Sequence, residues 1–127
     1  MAGEPSFDLD AAGLRADGAD LATGVEVLAA KLEGALPQEC RVERRRRSLF
    51  DRRQEVRAIE VRLGTNRYAL RLERGDVSAM REQEVRGVVI KREPLDLASW
   101  VQGLADQLRE QAATSARARE ALERLVG

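Results

Sequence analysis

The stretch Cys40 to Leu72, CRVERRRRSLFDRRQEVRAIEVRLGTNRYALRL, decides how this chain folds. Cys40 and Val42 alternate with Arg41 and Glu43, the period-two pattern of a half-buried strand. The alternation then meets Arg44, Arg45, Arg46 and Arg47. In a continuing strand, two of these four would face the core, and burying an unpaired charge is costly. The strand is therefore expected to end near Arg44 or to run past the sheet edge into solvent. Ser48 to Arg52 reads as a turn. A second strand sets Ile59, Val61 and Leu63 on one face, with Glu60 and Arg62 on the other. Val56 is out of phase with them, which predicts a bulge near Arg57 and Ala58. Gly64, Thr65 and Asn66 form a hairpin connection. The third strand points Tyr68, Leu70 and Leu72 inward, and Arg67, Ala69 and Arg71 outward.

Upstream, Leu21, Val25, Leu28, Leu32 and Leu36 recur at helical spacing. They predict a helix over 20–36 that Pro37 ends. Residues 1–18 are rich in Gly, Ala and Asp and include Pro5, with Phe7, Leu9 and Leu14 as their sizeable apolar groups. They read as a flexible acidic arm ahead of a single domain over 19–127.

Downstream, Gly75 and Asp76 make a turn, and Val77 to Gln83 form a weaker fourth strand. Residues 85–91, VRGVVIK, form a fifth strand, and their apolar run places it centrally. Pro94 closes the sheet and Asp96 suits a helix N-cap. Leu97, Trp100, Val101, Leu104 and Leu108 form a dense stripe that Leu122, Leu125 and Val126 resume. Trp100 reads as a core anchor. One helix over this span would be ~45 Å long, so it either projects toward a partner or bends near Thr114. Helix, strands, then helix predicts an α+β fold. An antiparallel sheet of four or five strands is flanked on one face by an N-terminal and a long C-terminal helix.

A length of 127 residues suits one domain with a core of its own. Charge is balanced, 22 basic against 22 acidic residues, so nothing global pulls the chain toward nucleic acid or membrane. Locally it is segregated. Residues 1–20 carry five acidic side chains against Arg15, and residues 41–57 carry eight arginines against Glu43, Asp51 and Glu55. The excess of Arg over Lys, 20 to 2, reads first as the codon bias of a GC-rich bacterial genome. A single cysteine, Cys40, excludes an internal disulfide and fits a reducing compartment. With no apolar run of membrane-spanning length and no signal-peptide pattern, the expected location is the cytoplasm.

The chain has no histidine, which removes the commonest general base and metal ligand. One cysteine gives no zinc cluster, and Gly64, Gly75 and Gly87 stand singly, so no phosphate-cradling loop forms. Cys40 as a nucleophile would lack an imidazole partner; it reads as a small hydrophobe. Asp76, Glu82 and Glu84 read as charged surface unless a pocket gathers several carboxylates with an arginine. The expectation is a protein that is not an enzyme and has no cofactor, metal or small-molecule substrate.

The candidate site is the arginine block. Arg44, Arg45, Arg46, Arg47, Arg52 and Arg53 flank Leu49 and Phe50, which sit at a loop tip. Either this pair folds back on the sheet, or it anchors an acidic protein partner. Alternatively the loop meets a polyanion, either nucleic acid or anionic lipid, with Phe50 stacking or inserting. The preferred reading is a protein-interaction module, such as an adaptor, assembly factor or regulatory subunit. A nucleic-acid or membrane binder ranks second, and a secretion-type chaperone third. Leu122, Leu125 and Val126 form a second candidate surface, a helix through which two copies would pair as a homodimer. The acidic arm is a further candidate to lie over the basic loop.

Overall fold

A computed structural model describes residues 18–46, 48–113 and 115–126. Residues 1–17 of the expected acidic arm, Arg47 and Thr114 lie outside these described residues.

The architecture is α+β. Helix α1 (Gly18–Ala35) leads into five strands: β1 (Cys40–Arg46), β2 (Gln54–Leu63), β3 (Asn66–Glu73), β4 (Asp76–Val85) and β5 (Val88–Leu95). Helices α2 (Leu97–Ala112) and α3 (Ala116–Val126) follow. The strands form one antiparallel meander in sequence order. Short connections dictate this topology, since an antiparallel pair needs only a tight turn. Arg74–Gly75 and Arg86–Gly87 both take positive φ (51° and 84°, 54° and 82°), the backbone of a type I′ hairpin turn.

The period-two pattern sorts the faces as expected. Val61 and Ile59 of β2 stand beside Tyr68 and Leu70 of β3, and all four are buried. The helices cover this face. Val25, Leu28 and Leu32 of α1 join Trp100, Leu104 and Leu108 of α2 in one core. Tyr68 and Trp100 meet edge to face, ring centroids 6.1 Å apart at 85°. Gln107 ties α2 to the β2–β3 turn. Its Nε2 donates to the Leu63 carbonyl (2.8 Å), while its Oε1 accepts from Asn66 Nδ2 (2.9 Å) and the Tyr68 hydroxyl (2.8 Å).

Two expectations change, and one choice left open is resolved. First, β5 is an edge strand, not a central one, because the meander simply puts the last strand outermost. Val88, Val89 and Ile90 are 61%, 38% and 59% exposed, so the apolar run marks an open edge rather than burial. Pro94, which lacks a ladder N–H, is tolerated at such an edge. Second, of the two courses left open for the C-terminal helix, the bend and not the projection is taken. The helix breaks between Ala112 and Ala116, where Ser115 Oγ accepts from the Ala118 N–H (3.2 Å) and caps α3. Asp96 caps α2 as expected, accepting from the Ser99 N–H at 2.7 Å. The break returns α3 to the domain, where it packs against α1 and α2. Third, β1 neither ends near Arg44 nor leaves the sheet there, but stays paired with β2 through Arg46.

Among the described residues no helix is long and apolar enough to cross a membrane.

Candidate functional site

The bulge expected near Arg57 is present. Glu43 stands opposite Ala58 and Arg44 opposite Val56, so Arg57 is the extra residue. This shift determines what happens to the arginine block. It places Arg44 on the helix-covered side, like Val56. There it reaches α1, whose Glu33 carboxylate accepts from both terminal guanidinium nitrogens at 2.6 and 2.9 Å. The fork-to-fork geometry holds the Glu33 carboxyl below its ordinary range and raises Arg44. One turn-pair earlier on α1, Glu26 accepts the Val56 N–H at 2.7 Å, satisfying a backbone donor at the bulge. Arg44 is thus a helix-to-sheet clamp. The burial penalty that argued against a continuing strand is met by a partner 11 residues upstream.

Cys40 opens the same strand. Burial first, with the Glu33 charge adding to it, pushes its thiol up to about 11. It is held as a neutral thiol.

Beyond Arg44 the block is open to solvent. Arg45 pairs with Glu43 at 3.0 Å, and both are well exposed. Arg46, Arg52 and Arg53 form no ion pair among the described residues. The Asp51 carboxylate accepts the Arg53 N–H at 2.9 Å and closes the loop locally. Leu49 and Phe50 do not fold back on the sheet. They are 90% and 95% exposed, the most open large apolar side chains among the described residues.

Strand direction brings further arginines to this end. The β1–β2 loop and the β3–β4 turn leave the same end of the sheet. Arg57 from the bulge, Arg71 near the end of β3 and Arg74 in the turn therefore gather beside Arg45 and Arg46 around a shallow cleft of about 380 Å³. None of Arg57, Arg71 and Arg74 is ion-paired among the described residues. Reading along the chain assigned Arg71 to solvated hairpin surface and missed this grouping. The signal that finds it is the bulge, which fixes the register and so the rung each arginine occupies.

The other end of the sheet behaves differently. On the face without helices, Arg62, Arg67 and Arg92 interleave with Glu60, Glu82 and Glu84 in contacts of 2.7–3.6 Å. Cross-strand pairing of opposite charges stabilises a solvated sheet face. Glu82 and Glu84, weighed as a carboxylate pair, are each held by arginine here. Among the described residues no three or more Cys, Asp or Glu side chains cluster as metal ligands.

The second candidate surface is not free. Leu125 is fully buried, Ala118 and Ala121 nearly so, and Leu122 and Val126 pack against the core. The expectation that these side chains need a second copy for burial is corrected, because the turn after α2 lets the domain cover them itself. Arg117 of α3 pairs with Glu39 (3.1 Å), and Arg124 donates to the Gly34 carbonyl (3.2 Å), fixing the return.

Comparison with protein-family models, with curated proteins and with solved structures returns no match.

Proposed function

We propose that this chain is a small non-enzymatic interaction module of the cytoplasm, an adaptor, assembly factor or regulatory subunit. It docks an acidic partner on the β1–β2 loop. The observation that carries the reading is Leu49 and Phe50 standing at 90% and 95% exposure beside Arg46, Arg52 and Arg53, which form no ion pair among the described residues. Two large apolar groups held in water forgo about 1.5–3 kcal/mol of burial each. An aromatic anchor with arginine around it is also the composition of interface hot spots. Arg44 has left the candidate set, since its charge serves the fold.

The same arginines suit a polyanion, but zero net charge and a single aromatic at the tip fit a protein surface better than a nucleic-acid groove. The test is capture of partners by wild type, Phe50→Ala and Arg52→Glu/Arg53→Glu across a salt series. Loss of a protein with both variants supports docking. Retention of that protein by both sinks it. Capture of nucleic acid or anionic vesicles alone, lost in the charge reversal, replaces it with the polyanion reading.

A further inference from the structure

The face of the sheet that the helices leave open is hollow. Its outward rows, read across the strands, are Arg41–Glu60–Ala69–Met80 and Glu43–Ala58–Arg71–Ser78. Long polar side chains are the usual filling of a solvated face, and Ala is depleted from strands. Here Ala58, Ala69 and Ser78 stay short, and the result is a concavity of about 760 Å³. Arg71 stands between Ala58 and Ser78 with no ion pair among the described residues, and Arg41 lines the same hollow, also unpaired. At the far end, about 13 Å away by four residues of strand rise, lies an ion-pair network around the buried Glu82. Arg67 Nε lies 3.6 Å from Glu60 Oε2, and Glu82 Oε2 takes Arg92 Nε at 2.7 Å. Arg67 Nη2 lies 2.8 Å from Glu82 and balances its charge, and Glu82 is only 6% exposed.

The geometry points to a groove for an extended acidic peptide segment. The network at the far end balances its own charge, so the positive charge the groove offers a ligand is that of Arg71 and Arg41. Carboxylates of the same segment meet Arg71 and Arg41, where the guanidinium fork matches carboxylate geometry. About four extended residues span the two ends. Arg71 also lines the basic cleft with Arg57 and Arg74, so the groove continues toward Phe50. This inference rests on the docking reading: the segment belongs to the partner whose apolar surface takes Phe50.

The test is fluorescence anisotropy with a labelled, end-blocked octapeptide alternating Glu and Ala, and its Gln counterpart. The Glu peptide is expected to bind saturably and more weakly as salt rises. Arg71→Ala should weaken it at least about tenfold. Ala69→Phe, which fills the floor without altering charge, should weaken it as well, with thermal melts showing both variants folded. Equal binding of the Gln peptide, indifference to Arg71→Ala and Ala69→Phe, or no saturable binding overturns the groove while leaving the Phe50 loop to its own test. Equally tight, Arg71-dependent binding of a single-stranded oligonucleotide overturns it in favour of a general polyanion surface.

Discussion

Arg44 and Glu33 close a two-pronged ion pair between the first strand and the first helix, with nitrogen–oxygen distances of 2.6 and 2.9 Å. Both side chains are partly exposed, 32% and 41%, so solvent screens the pair. A double-mutant cycle with Arg44→Met and Glu33→Gln is expected to give a coupling of about 0.5–1 kcal/mol. The Glu33 pKa is lowered, chiefly by the hydrogen bond from Arg44. A depressed carboxyl contributes stability that is present above its unfolded value and lost as pH falls through its folded value. The coupling should therefore be full at neutral pH and fade only below the ordinary glutamate range, followed by denaturant melts in acid.

Cys40 gives a chemical readout of the same region. With its thiol pushed up to about 11, almost no thiolate exists in the folded state at pH 8. A thiol-disulfide reagent should modify the native protein far more slowly than the denatured one. Because the folded pKa is raised, stability is full below the unfolded value and declines as pH climbs toward 11. A Cys40→Ala variant should lose that alkaline slope.

Leu125 reports on the return of α3. It is fully buried, so Leu125→Ala should cost about 2–5 kcal/mol by the cavity it leaves. A chain ended after Ala113 removes Ala121 and Leu125 from the core cluster and should melt well below wild type. An unchanged melting temperature would place α3 outside the cooperative unit.

Gln107 carries three hydrogen bonds between α2 and the β2–β3 turn. Gln107→Ala leaves the Tyr68 hydroxyl and the Asn66 amide without this acceptor, and a loss of about 1–3 kcal/mol is expected in urea melts. The Tyr68 pKa, already raised mainly by burial, offers a spectroscopic check: its alkaline titration should shift in the variant.

The residues that period alone governs were legible in the sequence. Ile59, Val61, Tyr68 and Leu70 face inward as their alternation required, and the phase slip at Val56 located the bulge. What stayed hidden depended on contacts distant in sequence. Arg44 looked unable to enter the sheet because its partner, Glu33, sits on a helix whose rotation the strand pattern does not state. Residues 88–90 looked central because hydrophobicity records apolar character, not which edge a meander leaves open. Of the candidate loop, Leu49, Phe50, Arg46, Arg52 and Arg53 stand exposed, which removes the fold-back alternative that the sequence left open. Arg57, Arg71 and Arg74 joined them only once the register placed all three at the same end of the sheet.

The central claim is that Phe50 stands in solvent for a partner and not for the fold. It is tested by measuring, on one Phe50→Ala protein, both its unfolding free energy and its affinity for the protein captured by wild type. The account predicts stability within about 0.5 kcal/mol of wild type and affinity reduced at least about thirtyfold, the scale of a hot-spot truncation. A variant that unfolds more easily yet binds as wild type does would contradict it.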